Sequence, residues 1–505
     1  MNYLYLGDCL NVLRDYLKDE SVDLIYIDPP FNSKRNYNIF FDDKEIHTQR
    51  VAFEDTWSYK NVSESLLELQ TVKNEKLHIL LKAYQEVAPQ VFPYLVMMTL
   101  RILELHRVLK STGSFYLHCD PTASHYLKTI CDAIFGNRQF KNEIIWIRST
   151  DTGSSKAISK KFPANTDTLL FYTKSELFKF NPVYLDYSED YLSRFKYEDE
   201  NGKYRWQCLK TYSQEKYAQL NAEGKIRLGQ KAKNPEYKQY IWELKGVLLS
   251  NAWTDIYQIN PAAKERLGYP TQKPRALLER IIQASSNEGD LILDGFCGCG
   301  TTVDAAESLK RQWVGIDISP IAIALMKRRL QDSYKTELSK FTVRGIPEDK
   351  ISAEKLWEQN PFAFQDWWIT EFDVFSTTFG TKGADKGIDG LGMYLVPGVE
   401  QPIKAAFQVK GGKVQSKDID ALWGSMNKHK CELGVFLSLH SPTKPMLETV
   451  ANSGYYSAAG FNYPRLQILT LDEFFSGKSL NLPKTNITFK SAQTTGKAID
   501  QQGLF

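Results

Sequence analysis

The sequence predicts an α/β protein whose main part is a parallel, doubly wound sheet, followed by a second and smaller α/β domain. Three observations support this prediction. Between residues 1 and 330, short apolar runs alternate with segments of helical spacing, which is typical of parallel sheets. Two short loops, residues 28–31 and 294–300, each directly follow such an apolar run. After residue 360 a new series of strand and helix patterns begins.

Size and composition limit the classes of protein that remain open. The chain has 505 residues, enough for two or three domains. Its formal net charge of +3 is close to neutral, so a nucleic-acid surface must be a local patch. The seven cysteines are irregularly spaced, which favours a reducing cytoplasm over a secreted disulfide framework. Cys297 and Cys299 lack a second ligand pair and are interpreted as small loop residues. We expect neither a signal peptide nor a membrane span.

The first loop follows the opening strand, helix and strand, predicted at residues 3–6, 9–17 and 22–27. Its sequence is Asp28-Pro29-Pro30-Phe31. A proline pair cannot continue a central strand, so it fixes a turn at the carboxyl edge, where open α/β sheets bind ligands. Residues 32–60 have little periodicity and are predicted to form a long loop over the site. The next elements are a mostly helical segment 64–110, strand 114–117, helix 126–135 and strands 143–147 and 168–172.

Residues 174–250 interrupt this pattern and are rich in lysine, arginine and tyrosine. Cations interleaved with aromatic rings suit contact with phosphates and stacking on bases. A solvated surface insertion is the alternative. The α/β pattern then resumes with a turn at 269–274, helix 276–284, strand 291–293, a helix ending at 309, strand 313–316 and helix 321–330.

The second loop is Asp294-Gly295-Phe296-Cys297-Gly298-Cys299-Gly300, between a strand and a helix. Glycines allow close approach of a ligand, and the helix start offers N–H groups, although such a loop can also be only a tight turn. Asp317, at the end of the next strand, can accept hydrogen bonds from both hydroxyls of a ribose. The spacing is not that of a dinucleotide fingerprint and no Walker lysine follows, which argues against NAD and ATP.

The first loop suits chemistry on the exocyclic amine of a nucleobase. Such an amine is a poor nucleophile because its lone pair is delocalised into the ring. The Asp28 carboxylate and the Pro29 carbonyl can each accept one N–H, which directs the lone pair at an electrophile. Phe31 can stack on the base, which must leave the duplex to reach the loop. The chain contains no Pro-Cys dipeptide, the usual nucleophile of C5-cytosine methylation.

Together these motifs resemble those of the S-adenosylmethionine-dependent amino methyltransferases of DNA, enzymes with a Rossmann-like sheet. DPPF is similar to their catalytic motif and FCGCG to their cofactor loop. The catalytic motif comes first, which is the order of the beta class and of type III modification subunits. The resemblance also includes LHRVLKSTGSFYLHCD (105–120) and YPTQKP (269–274), and it covers nearly all of residues 1–330.

The resemblance implies S-adenosyl-L-methionine as the methyl donor. RNA and protein are possible substrates for related motifs, but the large insertion favours double-stranded DNA as the partner. The implied catalytic residues are Asp28, Pro29, Pro30 and Phe31. The implied cofactor contacts are Asp294, Phe296, Gly298, Gly300 and Thr301, with Asp317 on the ribose, Asp8 on the adenine edge and Lys273 near the methionine carboxylate.

Three further expectations come from the same resemblance. Gly295 stands where relatives often have proline, and we expect little effect. Aspartate as the first motif residue favours N6 of adenine, with N4 of cytosine as the alternative. Residues 174–250 lie where such enzymes keep target recognition.

The segment 331–360 is charged and is predicted to be a linker or helical connector, and residues 361–482 a separate domain. An aromatic helix at 361–375 precedes Asp389, strand 405–410, a helix from 417, strand 433–439, a helix from 443 and strand 466–471. Asp389 followed by Gln408-Val409-Lys410 resembles the PD-(D/E)xK nuclease core in its Mrr-like form. That resemblance implies a type II-like deoxyribonuclease in which Asp389 binds Mg²⁺, Gln408 lies beside the metal and Lys410 activates water or stabilises the phosphate.

This second domain departs from the common pattern at Gln408, where an acid is usual, although Mrr-like members also carry glutamine. The upstream helix acid has no clear match, and Gln365 is nearest. An active nuclease and a degenerate fold that only binds DNA therefore both remain open. The isolated histidines, including His440, are interpreted as structural or superficial.

The polar tail 483–505 is predicted to be disordered. Its last residues, QQGLF (501–505), resemble the short peptides that bind bacterial sliding clamps. The sequence leaves the oligomeric state open, a dimer included. It predicts an adenine-specific DNA methyltransferase fused to a nuclease-like domain, acting in restriction and modification. A DNA-binding protein without catalysis is the alternative from another class.

Overall fold

The computed structural model describes residues 1–30, 36–43, 46–54, 59–149, 162, 164–228, 234–260, 263, 265–267, 269, 271–372, 374–376, 387–396, 398–399 and 401–486. Between residues 36 and 62, and at 375–376 and 485–486, only the backbone is described. Phe31 and the QQGLF sequence lie outside the described residues, so the expectations for them stay predictions.

The elements follow the chain in four groups. The first is β1 (Asn2–Leu6), α1 (Cys9–Tyr16), β2 (Val22–Ile27), β3 (Asn36–Asp43), β4 (Ile46–Glu54), α2 (Tyr59–Thr71), α3 (Glu75–Val87), α4 (Phe92–Val108), β5 (Leu109–Cys119), α5 (Ser124–Phe135), β6 (Phe140–Ile147) and β7 (Thr166–Thr173). The second is β8 (Tyr184–Leu185), α6 (Glu189–Leu192), β9 (Tyr197–Asp199), β10 (Gly202–Cys208), α7 (Gln214–Ala222), β11 (Ile226–Arg227), β12 (Glu236–Tyr240) and β13 (Val247–Leu248). The third is β14 (Ala252–Trp253), α8 (Arg275–Ser285), β15 (Leu291–Asp294), α9 (Thr301–Ser308), β16 (Gln312–Asp317), α10 (Pro320–Tyr334) and β17 (Phe341–Arg344). The fourth is α11 (Lys350–Gln359), α12 (Pro361–Thr370), β18 (Phe375–Ser376), β19 (Gly390–Leu395), β20 (Ile403–Lys410), α13 (Ser416–Lys428), β21 (Leu433–Ser438), α14 (Lys444–Asn452), β22 (Tyr455–Ala458), β23 (Phe461–Pro464), β24 (Leu466–Thr470), α15 (Leu471–Phe475) and β25 (Thr485–Asn486).

The first and third groups build one nine-stranded sheet in the order β14-β6-β7-β5-β2-β15-β16-β1-β17. The predicted α/β sheet is therefore confirmed. The prediction that it is parallel throughout is wrong, because β7 is antiparallel to both of its neighbours, β5 and β6. An apolar run carries no signal for strand direction, and an antiparallel neighbour does not need a helical crossover. The other strand pairs of this sheet are parallel among the described residues.

Residues 32–60 contain a hairpin rather than the predicted long loop. Strands β3 and β4 pair antiparallel from Asn36↔Glu54 to Asp43↔Ile46. The segment is rich in aromatic and β-branched residues, which favour extended backbone, and this signal outweighs its weak periodicity.

The centre of the sheet is apolar because it is covered on both faces. All six residues of β2 are buried. Helix α4 supplies thirteen buried residues, from Phe92 to Val108, and packs in the same core cluster as β2 and β5. Strands buried on both faces have largely apolar sequences, which is why β2 could be predicted from the sequence.

Residues Asn181–Asn251 form a compact unit of their own. Its antiparallel sheet has the order β11-β12-β10-β9. Two of the predicted DNA-contacting cations are paired inside the unit: Arg205 Nε donates to Gln239 Oε1 at 2.9 Å, and Arg227 Nε donates to Glu236 Oε2 at 2.7 Å. The exposed cations on the same unit include Lys196, Lys203, Lys210 and Lys216.

The fourth group builds a smaller sheet in the order β18-β19-β20-β21-β24, with β25 paired to β19. Strands β19 and β20 are antiparallel, whereas β20, β21 and β24 run parallel. The core of this region centres on Phe364, Trp367 and Trp368 of α12. The segment predicted as a linker or connector holds the end of α10, strand β17 of the large sheet and helix α11.

Within the described ranges, no helix is both long enough and apolar enough to cross a membrane.

Candidate functional site

The loops after β1, β2, β15 and β16 lie together at the carboxyl edge of the large sheet. These strands are parallel neighbours in the order β2, β15, β16, β1, so their carboxyl ends meet. Backbone hydrogen bonds join the loops: Gly7 N donates to Asp317 O at 2.9 Å, and Cys297 N donates to Ile316 O at 3.0 Å. This edge therefore brings the predicted acids Asp28, Asp294 and Asp317 into one site.

The glycine loop has the left-handed backbone that its glycines allow. The φ angle is +50° at Gly298 and +77° at Gly300, the residue that caps α9. A Cβ on Gly300 would lie 2.0 Å from Cγ of Met326. Only glycine fits there without strain or displacement of α10.

Asp294 stabilises this loop through two hydrogen bonds. Its Oδ1 accepts a hydrogen bond from Phe296 N at 3.0 Å, and its Oδ2 accepts one from Thr302 Oγ1 at 2.5 Å. Burial raises the pKa of Asp294 to about 7; these two hydrogen bonds oppose the rise, and the nearby charges of Asp28 and Asp317 add to it. The Asp294 side chain is thus committed to the loop itself.

Asp317 is half-buried at the end of β16. Its Oδ2 accepts from Gly298 N and its Oδ1 from Ser319 N, each at 2.8 Å. Burial raises its pKa to about 6, although these backbone hydrogen bonds act in the opposite direction. Each carboxylate oxygen keeps a second lone pair, so a diol can still donate to both. The next side chain, Ile318, is 65% exposed and offers an apolar surface beside the acid.

Asp28 has two differently placed carboxylate oxygens. Its Oδ2 is in an ion pair with Nζ of Lys273, whereas its Oδ1 is buried and has no hydrogen-bond partner among the described residues. Pro29 is buried and Pro30 is half-buried. A buried carboxylate oxygen without a donor is costly unless a ligand supplies one.

The other predicted cofactor residues are placed as follows. Asp8 caps α1, with Oδ1 accepting from Leu10 N at 2.9 Å, and its Oδ2 pairs with Arg101 Nη2. Thr301 is buried at the start of α9, and Phe296 is half-buried. Lys273 contacts Asp28, a partner that the sequence did not reveal.

Tyr26, His118 and Asp167 form a chain of hydrogen bonds, called here the buried polar chain, that was not predicted from the sequence. Tyr26 Oη lies 2.9 Å from His118 Nδ1, and His118 Nε2 lies 3.1 Å from Asp167 Oδ2. All three residues are buried. His118 belongs to the LHCD part of the 105–120 motif, which is its sequence signal. Asp167 and Tyr26 lie on other strands, so no local pattern indicates that the three residues meet.

In the C-terminal region, the predicted residue Asp389 lies beside strand β20, which carries Gln408 and Lys410. Asp389 N donates to Phe407 O, and Asp389 Oδ2 accepts from Val409 N, both at 2.8 Å. Asp389 is therefore hydrogen-bonded to the residues on both sides of Gln408. The Gln408 Oε1 is buried and lacks a hydrogen-bond partner within the described ranges. Lys410 Nζ lies 3.4 Å from Asp418 Oδ1.

Asp418 was also missed by the sequence. It lies in the first turn of α13, eight residues after Lys410, and its other oxygen accepts from Gln415 N at 2.8 Å. Among the residues that the structure describes, which leave out 377–386, no cluster of three or more acidic, histidine or cysteine side chains could hold a metal ion.

The fold and the site define a class of protein. A mostly parallel sheet has at its carboxyl edge a glycine loop, an acid that can accept from a ribose, and a carboxylate oxygen with no donor among the described residues. This arrangement is typical of Rossmann-like α/β domains that bind nucleosides.

Comparison with known proteins identifies the family. Residues 22–328 match a model of DNA methylases that act on N6 or N4 amines, and residues 369–456 match an Mrr-type restriction endonuclease model. The chain belongs to this DNA methylase family and carries a restriction endonuclease domain fused behind it, as the two resemblances predicted.

Individual relatives cover parts of the chain. The type II methyltransferase M.EcaI of Enterobacter cloacae is 28% identical over 281 residues, which cover 49% of this chain and 61% of M.EcaI. M.HpaI of Haemophilus parainfluenzae is 26% identical over 331 residues, covering 66% and 74% of the two chains. The structure of the PvuII cytosine-N4-specific DNA methyltransferase is 16% identical, with a TM-score of 0.35 over 67% of this chain and 89% of that one. The chain thus spans less than two thirds of the length of M.EcaI.

Proposed function

We propose that this protein transfers a methyl group from S-adenosyl-L-methionine to N6 of adenine in double-stranded DNA. The observation that carries the proposal concerns the two oxygens of Asp28. Lys273 holds one of them, and the other is buried with no donor in the part of the chain that the structure describes. An exocyclic amine would supply the missing N–H. Family membership supports S-adenosyl-L-methionine as the donor.

The residues at the edge fit the cofactor. Asp317 would accept from the ribose hydroxyls, the exposed Ile318 side chain would cover a purine face, and the glycine loop would admit the cofactor against its backbone. When bound, S-adenosyl-L-methionine supplies an electrophilic methyl group. Asp294 acts indirectly, because its oxygens hold the loop.

Asp28 and Pro29 would position the base. One amine N–H donates to Asp28 Oδ1 and the other to the Pro29 carbonyl, which directs the nitrogen lone pair away from both acceptors. The methylated nitrogen must then lose a proton. Asp28 Oδ1 is the atom placed to accept it.

The product decides between the two candidate bases. DNA incubated with the protein and S-adenosyl-L-methionine, then digested to nucleosides, should contain N6-methyladenine by mass spectrometry. N4-methylcytosine instead would show that the alternative base is the target, and unmodified DNA from many sequences would refute the proposal.

The two remaining parts of the chain have proposed roles in the same system. The Asn181–Asn251 unit would read the DNA target, using the exposed lysines and aromatic rings such as Trp242 rather than the paired Arg205 and Arg227. The C-terminal domain would cut DNA with Mg²⁺. The Asp389 carboxylate and the buried Gln408 Oε1 are oxygen ligands of the kind Mg²⁺ prefers, and Lys410 is close enough in sequence and strand register to act on the same phosphate.

Gly300→Ala should weaken cofactor binding without unfolding the protein. The left-handed backbone costs a non-glycine residue about 1–2 kcal/mol, and the new Cβ would overlap Met326. We expect roughly tenfold weaker binding of S-adenosyl-L-methionine by calorimetry, which corresponds to about 1.4 kcal/mol. Gly424→Ala is the matched control, because no atom lies within 4 Å of its new Cβ. Unchanged affinity in Gly300→Ala would show that the loop does not contact the cofactor.

Cofactor binding should weaken as the pH falls from 8 to 5. The ribose hydroxyls need ionised Asp317 as their acceptor, and its pKa of about 6 means that it protonates within this range. One required ionisation with that pKa gives roughly tenfold weaker binding at pH 5 than at pH 8. Calorimetry across this range tests it. Asp317→Asn should bind more weakly at pH 8 and show a shallower pH dependence, and an equally steep profile in Asp317→Asn would assign the effect to another group.

A further inference from the structure

Lys273 pairs with Asp28, and its charge also acts on Asp167 of the buried polar chain. Its side chain is 11% exposed and its Nζ contacts Asp28 Oδ2. Its charge also acts on Asp167: burial alone would raise the pKa of Asp167, but the hydrogen bond and charge of His118, followed by the charges of Lys273 and Arg148, lower it below its ordinary value. One ammonium therefore interacts with carboxylates from two strands, β7 and the end of β2.

The buried chain fixes Asp167 from inside the sheet. An ionised Asp167 can only accept, so His118 Nε2 carries the proton of their 3.1 Å hydrogen bond. The His118 Nδ1 can then accept from the Tyr26 hydroxyl at 2.9 Å. The His118 ring thus joins Tyr26 to Asp167. Arg148 Nε lies 3.2 Å from the second oxygen of Asp167.

The buried polar chain begins at Tyr26, close to Asp28 along the polypeptide. Tyr26 lies in β2 and Asp28 directly follows the end of that strand, close enough for the charge of Asp28 to act on Tyr26. Strand β5, which carries His118, is the neighbour of β2, and β7, which carries Asp167, is the neighbour of β5. Three adjacent strands therefore carry the hydrogen-bonded residues Tyr26, His118 and Asp167.

We propose that Lys273 is a positioning residue, which holds Asp28 Oδ2 so that Oδ1 stays available to the target amine. The Asp167 carboxylate, which is hydrogen-bonded to His118, adds an opposite charge that acts on Lys273. The inference rests on the proposed methyl transfer and deepens it. It assigns Lys273 to the nucleobase side of the site, whereas the family resemblance places it near the methionine carboxylate of the cofactor.

Lys273→Met keeps the length of the side chain and removes its charge. We expect kcat to fall by roughly 10- to 100-fold, since misplacement of a catalytic group by about 1 Å has an effect of that size. The dissociation constant for S-adenosyl-L-methionine, measured by calorimetry without DNA, should stay within about twofold of wild type. Lys273→Arg should recover part of kcat, and Asp167→Asn should lower kcat less than Lys273→Met does.

The decisive measurement is a double-mutant comparison. If Lys273 acts through Asp28, then Asp28→Asn with Lys273→Met should be no slower than Asp28→Asn alone. Lys141→Met is the matched control: Lys141 is 16% exposed and ion-paired with Glu176, but it lies at the amino end of β6, away from the site.

Three results would overturn the inference. Cofactor affinity at least about tenfold weaker in Lys273→Met, with unchanged kcat at saturating cofactor, would place Lys273 in the cofactor site. Multiplicative effects in the double mutant would show that Lys273 and Asp28 act independently. If the wild-type chain binds S-adenosyl-L-methionine but methylates no DNA, the proposed function fails and the inference fails with it.

Discussion

Asp28→Ala is expected to abolish methyl transfer to DNA while the protein still binds S-adenosyl-L-methionine. The substitution removes a carboxylate oxygen at the sheet edge that is buried and has no donor among the described residues. It also leaves Lys273 without its Asp28 partner. We expect the rate of tritiated methyl incorporation into DNA to fall by about 10²- to 10³-fold or more, the usual effect of removing one preorganised group from a reacting centre.

Two comparisons make this result specific. Asp19→Ala is the matched control, because Asp19 is 74% exposed and precedes β2 at the opposite edge of the sheet. It should methylate DNA at the wild-type rate. Retained methylation in Asp28→Ala would remove the DPPF loop from the mechanism, and a simultaneous loss of cofactor binding would mean that the variant has damaged the fold of the site.

Lys410→Ala should abolish Mg²⁺-dependent cleavage of unmethylated DNA and leave methyl transfer unchanged. Lys410 follows Gln408 on the same face of β20 and is 40% exposed, so its ammonium can reach a phosphate. Loss of a cation that activates water or stabilises the phosphate typically lowers the rate by about 10²- to 10³-fold. Gel analysis of cut DNA, with and without EDTA, measures the effect.

The control for this variant is Lys444→Ala, whose side chain is 89% exposed at the start of α14. It should cut DNA as the wild type does. If the wild-type protein binds DNA but cuts none in the presence of Mg²⁺, the C-terminal domain is a DNA-binding module instead. If the wild-type protein does cut DNA, Asp418→Asn separates a positioning effect on Lys410 from a general loss of folding. Asparagine keeps a side chain of the same size beside Lys410 but removes its charge.

The strands and the loops that end them were predicted well because their signals are local. Val22–Ile27 is an apolar run except for Asp23, and the proline pair after it cannot continue a strand. Gly298 and Gly300 adopt the positive φ angles that their residue type permits. The hairpin at 36–54 was missed because its periodicity is weak, although its aromatic and β-branched content favours strands.

The antiparallel strand Thr166–Thr173 and the partners of the site residues were not predictable in this way. Asp28 meets Lys273 across 245 residues of chain, and Asp8 meets Arg101 across 93. No local pattern encodes which of many lysines and arginines reaches a given carboxylate. His118 looked like an isolated histidine, because Tyr26 and Asp167 join it only when three strands lie side by side.

The sequence by itself determined the family, the order of the motifs and the two loops to which we assign the chemistry, since each depends on short stretches whose residue types restrict the backbone. Only the tertiary structure decided which partners each carboxylate has: Asp294 and Asp317 hold the glycine loop, whereas one oxygen of Asp28 has no donor within the described ranges. The physical reason is that a carboxylate acts according to its hydrogen-bond partners and its burial. Both depend on strands that are distant along the chain and adjacent in the sheet.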